Sequence, residues 1–301
     1  MELQNNLNGF SEYLFQPAYT PQPTDRSMGF ELEFITDYTQ QVVNSAWENG
    51  FTEDEIEVET NGRPGEGITE IKSHPVGLGN DSFVLERLND TLYQFKRTVD
   101  EVGANLTLGP YDPNTGHTAG IHINISGTDD EDLMRVAKIM EFYKPTMILT
   151  SNSDNRGRVE AFGYKNETAI AYDSTDKSRK KRSDILIKKD ENLVELRITP
   201  MSYSFETSLS VPFVLQRLIS FTEGDELEMA KIEYLTNNRP DGDLTYTQIN
   251  RDRVIDGGFN TQVWDADVLI DGELKIVPYE RPVNDFINEH LTRVGYSQQF
   301  D

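Results

Sequence analysis

Three short stretches place reactive side chains two residues apart: Glu31 and Glu33 in GFELEFIT (29–36), His122 and Asn124 in GIHINIS (120–126), and Glu195 and Arg197 in NLVELRIT (192–199). Alternate residues of a β-strand project to one face, so the members of each pair share a face. Phe30, Leu32 and Phe34 occupy the other face of the first stretch, which gives the carboxylate pair a strand with an apolar back. Like charges held close raise each other's pKa and cost stability unless a cation sits between them. An oxygen-rich donor set with one imidazole suits Mg²⁺ or Mn²⁺. Each pair taken alone has a plainer reading. Glu31 and Glu33 fit a solvated sheet face, His122 a satisfied core or surface histidine, and Glu195 with Arg197 a cross-strand ion pair. The plain readings weaken together, because all three stretches share the same polar-face design.

The elements that would position these groups follow from periodicity. Residues 55–60 and 67–73 read as a hairpin around NGRPGEG, and residues 81–102 as an amphipathic helix with Leu85, Leu88, Leu92, Phe95 and Val99 at helical spacing. A second helix is expected over 129–149, opened by acidic residues and kinked or broken near Pro145. Pro212 is expected in the first turn of a helix running to about Phe221. A further helix is expected around 225–237, loops and a hairpin over 242–281, and a last helix over 283–294. Residues 1–27 read as an extended arm, Pro-containing but carrying Phe10, Tyr13, Leu14, Phe15 and Tyr19, so it is expected to dock on protein. The organisation expected is the arm, a core over 28–205, and a mainly helical extension of the same domain over 206–301.

Composition excludes several classes. The chain has 301 residues, enough for a sizeable core, and no cysteine, so it has no disulfide framework and no thiol nucleophile. No apolar run reaches the roughly 20 residues of a membrane helix, and MELQNNLNGF lacks the pattern of a signal peptide. With 52 acidic against 28 basic residues the net charge is −24, which disfavours nucleic acid and anionic membranes. Such self-repulsion is screened in concentrated salt. The expectation is a cytoplasmic protein of a halophilic host or a virion component, against the plainer reading of an ordinary acidic protein. The basic run from Lys177 to Lys189, KSRKKRSDILIKK, reverses this field locally with seven basic residues. It suits phosphate binding, or else a solvated loop or a docking patch for an acidic partner. Glycine-containing stretches match neither a P-loop nor a dinucleotide fingerprint, and no third nitrogen or sulfur ligand is spaced for zinc around His117 and His122.

Taken in order, GFELEF, GITEIKSHP (67–75), TAGIHINIS (118–126) and VELRITP (194–200) resemble the strands of amidoligases in the glutamine synthetase and glutamate–cysteine ligase superfamily. The resemblance covers about residues 28–202. It implies an α+β, glutamine-synthetase-like catalytic domain, a curved and mainly antiparallel sheet with helices on its outer face. It implies a carboxylate–amine ligase that uses ATP and Mg²⁺ (or Mn²⁺), takes a carboxylate and an amine, and assembles into oligomers, for which residues 1–27 are the expected contact. It implies metal ligands at Glu31, Glu33, Glu70, His122 and Glu195, and charge stabilisation by Arg197. It implies nucleotide contacts from the basic loop, with Arg156, Arg158, Lys180 and Arg182 as candidates. In the family's "G-x-H-x-H" strand the second histidine approaches substrate or phosphate; here it is Asn124, which can donate a hydrogen bond but carries no charge. That departure motivates the alternative of a structural or virion-associated protein that keeps the fold without turnover.

Overall fold

The computed structural model describes residues 25–59, 66–78, 81–109, 112, 114, 116–150, 170–172, 185–201, 205–226, 229 and 232, with the pairs 262–263 and 281–282. The arm up to residue 24, Arg156, Arg158, Lys180 and Arg182, and the helices expected over 225–237 and 283–294 fall largely or wholly outside these residues.

The chain is α+β. In chain order the strands are β1 (Ser27–Asp37), β2 (Ile56–Glu59), β3 (Glu66–Lys72), β4 (Val76–Gly77), β5 (Leu106–Thr107), β6 (Gly120–Ser126), β7 (Ile170–Tyr172), β8 (Ile185–Lys188) and β9 (Leu193–Pro200). They form one sheet in the order β2-β3-β1-β6-β9-β8-β7, with β4 and β5 adding short pairings to β1. Every pairing is antiparallel except β7 with β8. The helices are α1 (Thr39–Glu48), α2 (Asp81–Val102), α3 (Asp130–Thr150) and α4 (Phe205–Glu223). None of the described helices is long and apolar enough to cross a membrane.

The sheet is two-faced because its strands alternate. Phe30, Leu32, Phe34, Ile71, Ile121, Ile123, Ile125, Val194 and Leu196 are all buried in one cluster with Val42, Ala46, Phe95, Val99, Val136, Met140, Leu215 and Ile219 from the four helices. Phe34 of β1 stacks on Phe95 of α2 with ring centroids 4.8 Å apart. The apolar back of the sheet is therefore the helix side, and the opposite face is left for polar side chains. Burying each large apolar side chain contributes roughly 1.5–3 kcal/mol, so this layer supplies the main stabilisation.

Two helix expectations are corrected. The second helix is not broken at Pro145 but runs on to Thr150. Pro212 does not open its helix; the helix starts at Phe205 and Pro212 lies inside it. Val211, Phe213, Val214 and Leu215 around that proline are buried, and this packing offsets the hydrogen bond that proline cannot make. Helix α1 was not anticipated. It begins after Tyr38, which sits in the left-handed region at φ 53° without a side-chain cap, so the usual start signal is absent.

A charged clasp holds the start of β1 to two helices. The Arg26 guanidinium donates to Asp132 at 2.7 and 2.5 Å, to Glu223 at 2.9 and 2.6 Å, and to the Ser126 carbonyl at 2.9 Å. Burial works against the charged guanidinium, but the two carboxylates outweigh it and raise its pKa. The hydrogen bond from Arg26 holds Asp132 down at about 2, against the opposing effect of its burial. A lowered carboxylate contributes stability that is complete above its unfolded value of about 3.9 and is lost as pH falls toward the folded value. Urea midpoints between pH 5 and pH 2 are therefore expected to fall in the wild-type protein and to fall less steeply in Asp132→Asn. Arg26→Met is expected to cost about 2 kcal/mol at neutral pH, because two partly buried carboxylates lose their cation. An Arg26→Met protein with the wild-type midpoint would remove the clasp from the account of stability.

Candidate metal centre

The register of the sheet decides which polar groups meet. β1 pairs Glu31 with Lys72 and Glu33 with Glu70 on β3, and on its other side pairs Glu31 with His122 of β6. β6 pairs Asn124 with Glu195 of β9, and β3 pairs Glu70 with Glu57 of β2. Because paired residues point to the same side, Glu57, Glu70, Glu33, Glu31, His122, Asn124 and Glu195 lie on one face, opposite the helices. Ile121 pairs with Thr199 but Ile123 with Leu196, so β9 carries one extra residue opposite His122. This bulge falls at Arg197 and Ile198, and such bulges bend the strand and re-aim side chains.

His122 is the hub. Its Nδ1 lies 3.3 Å from Glu31 Oε2 and 3.4 Å from Glu195 Oε1, and its Nε2 lies 3.7 Å from Glu33 Oε1. One ligand atom each from Glu31, Glu70 and His122 fall within 4.8 Å of one another. Two ligands on opposite sides of a cation with bonds of about 2.1 Å would stand about 4.2 Å apart, so this spacing is close to what Mg²⁺ or Mn²⁺ requires. The Asn124 amide donates to Glu31 Oε1 at 3.1 Å, while its buried carbonyl oxygen has no hydrogen-bond partner among the described residues. Arg197 Nε lies 3.2 Å from Glu195 Oε1. The five carboxylate and imidazole residues named from sequence thus come together, with Asn124 and Arg197 beside them. Arg156, Arg158, Lys180 and Arg182 lie outside the described residues.

The electrostatics are those of crowded carboxylates. Burial, and then the charge of Glu31, push Glu70 up to about 8. Burial also opposes ionisation of Glu31, but the hydrogen bond and charge of His122 outweigh it and hold Glu31 down at about 2. Burial opposes the charged imidazole too, yet Glu33, Glu31 and Glu195 together raise the His122 pKa. The group therefore keeps protons where ordinary carboxylates have lost them.

Three further charged groups belong to this face and were not singled out from sequence. Lys72 Nζ bonds Glu57 at 2.8 Å and lies 3.2 Å from Glu70. The Lys72 hydrogen bond lowers the pKa of Glu57. Lys188 Nζ lies 3.1 Å from Glu195 Oε2. The signal for Lys72 was its period-two spacing from Glu70, and for Glu57 its place in the neighbouring hairpin strand. Lys188 was hidden in a basic run whose last residues form β8.

No family model matches the chain, and no curated protein matches it. Among solved structures it is similar to a glutamine synthetase of Plasmodium falciparum, at 12% identity over 74% of this chain and 55% of that chain, with a TM-score of 0.43. The chain thus spans about half the length of that enzyme's chain.

A raised carboxylate or imidazole binds protons more tightly in the folded state, so its contribution is complete at low pH and is lost as pH rises through the folded value. In chelator, stability is therefore expected to decline between about pH 4.5 and pH 8 as Glu70 loses its proton. Glu70→Gln removes one like charge and is expected to flatten this decline and raise the melting temperature at pH 8 by about 3 °C. Thermal scans across pH measure both, and a variant with the wild-type profile would refute the crowding account.

Proposed function

We propose that the chain is an ATP- and Mg²⁺-dependent carboxylate–amine ligase, with Mn²⁺ able to replace Mg²⁺. The observation that carries the reading is the convergence of Glu31, Glu33, Glu70 and Glu195 on one imidazole, His122, so that four separate stretches of chain meet. The four stretches are also those that resemble the amidoligase strands, in the same order. The donor set suits the metal: hard oxygens, one imidazole, and the carbonyl of Asn124 close by, which has no partner among the described residues.

Glu31, Glu33, Glu70, His122 and Glu195 would hold the divalent ions. When bound, such ions would supply charge neutralisation at the phosphate oxygens. In this reaction the γ-phosphoryl of ATP moves to a substrate carboxylate, giving an acyl phosphate and ADP. A substrate amine then attacks the acyl carbon, phosphate leaves, the nitrogen loses a proton, and an amide remains. Arg197 keeps a permanent positive charge beside Glu195 and would stabilise the oxygens of the moving phosphoryl group. Arg156, Arg158, Lys180 and Arg182 would extend the contact along the nucleotide. Residues 1–27 would supply a contact between copies of the chain.

One observation favours the second reading, a structural or virion-associated protein with the fold but no turnover. Asn124 stands where the resemblance places a second histidine, and its amide is already engaged by Glu31. Nucleotide binding separates the two. Mg²⁺ with ATP is expected to stabilise the ligase by mass action, by about 2.7 kcal/mol at a ligand concentration of 100 times Kd. Arg197→Met is expected to abolish most of that shift. Metal binding is expected to release protons below about pH 8, where Glu70 is protonated. Calorimetry of Mn²⁺ binding in buffers of different ionisation enthalpy counts them. Melting temperatures unmoved by millimolar Mg²⁺ and ATP at both low and high salt would favour the scaffold.

A further inference from the structure

Glu195 is more heavily served than any one carboxylate needs. Its Oε1 faces His122 Nδ1 at 3.4 Å and Arg197 Nε at 3.2 Å, while its Oε2 faces Lys188 Nζ at 3.1 Å. Lys188 is held there by local structure. A 3₁₀ turn, Lys189–Glu191, closes on Asn192 in the left-handed conformation at φ 54°, which asparagine tolerates well. The turn fixes the pairing of Lys188 with Leu193 and of Leu186 with Glu195, so Lys188 stands diagonally beside Glu195 on the polar face. Its side chain is only 17% exposed. Among the described residues its ammonium has one ion-pair partner, Glu195. Lys72, by contrast, also holds the half-exposed Glu57 at 2.8 Å. Lys189, one residue on, points elsewhere, pairing with Asp130 and lying over the Tyr172 ring at 4.8 Å.

We propose that Lys188 is a resident cation that exchanges partners: it neutralises Glu195 while no metal is bound, and binds a phosphoryl oxygen of the nucleotide once a divalent ion has taken Glu195. The inference rests on the metal and nucleotide reading above. A divalent ion on Glu195 competes for the lone pairs that Lys188 uses and repels its ammonium. A partly buried ammonium without a counter-ion is costly, so an anion arriving at that place is bound strongly. The same side chain therefore opposes metal and favours nucleotide, a pair of effects that a purely structural lysine does not produce.

The test uses Mn²⁺ and β,γ-methylene-ATP, followed by calorimetry, with Lys188→Met, Lys188→Arg and Lys189→Met. Lys188→Met is expected to bind Mn²⁺ at least about threefold more tightly, since a competing cation is gone, and to bind the analogue at saturating Mn²⁺ about tenfold or more weakly. Lys188→Arg should restore both affinities, and Lys189→Met should leave both unchanged. A Lys188→Met protein that weakens Mn²⁺ binding, or that binds the analogue as wild type does, overturns the exchange. Amine acylation of the wild-type protein, read by mass spectrometry, gives the same answer without a variant. Lys188 should be protected in chelator, more reactive with Mn²⁺ alone, and protected again with Mn²⁺ and the analogue; constant reactivity overturns it. Wild-type protein that binds no Mn²⁺ removes the metal reading as well, whereas wild-type binding of both ligands with no change in Lys188→Met removes this inference alone.

Discussion

Four glutamates meeting around one buried imidazole is the constraint on which the structure turns. Each carboxylate loses water on that face, and their mutual repulsion has little solvent to screen it. The protein answers with Lys72, Lys188 and Arg197 at the edges of the group, with the His122 imidazole between the carboxylates, and with a proton retained on Glu70. Under the metal reading proposed above, a divalent ion would replace a proton and several partial counter-charges at once, and the repulsion it relieved would favour its binding.

Such a face can exist only on a sheet whose other side is secured. β1 lies inside the sheet, paired with β3 over residues 31–37 and with β6 over residues 28–32, and its apolar side chains are buried with those of the helices. The hydrophobic layer fixes the register, since a slip of one residue would turn Glu31 and Glu33 into the core and expose Phe30 and Leu32. Position of the polar cluster and stability of the sheet are thus two results of a single alternation. The bulge on β9 is the one departure from regular pairing within β6 and β9, and it falls opposite His122.

Much of this was legible in the chain itself. The alternation in residues 29–36, 120–126 and 192–199 marked the strands and which side chains share a face, because period two is a local property of the sequence. Helix α2 was legible for the same reason at helical period. What stayed hidden was non-local or unsignalled. Lys188 reaches Glu195 through a turn whose geometry depends on Asn192, and the surrounding lysines and arginines masked strand β8 as a basic run. Glu57 joins the face only through the hairpin register with Glu70. Helix α1 follows a residue in an unusual conformation and carries no side-chain cap, and Pro212 lies inside a helix because the buried residues around it outweigh the local penalty.

The Arg26 clasp has a mechanical consequence. It grips the chain one residue before β1 begins and ties that point to Asp132 in the first turn of α3 and to Glu223 at the end of α4. Any pull arriving along the chain from residues before 25 is therefore shared among two helices before it reaches the sheet. The ladder of β1 is loaded only after that anchor yields, so the polar cluster is shielded from a force applied ahead of residue 25.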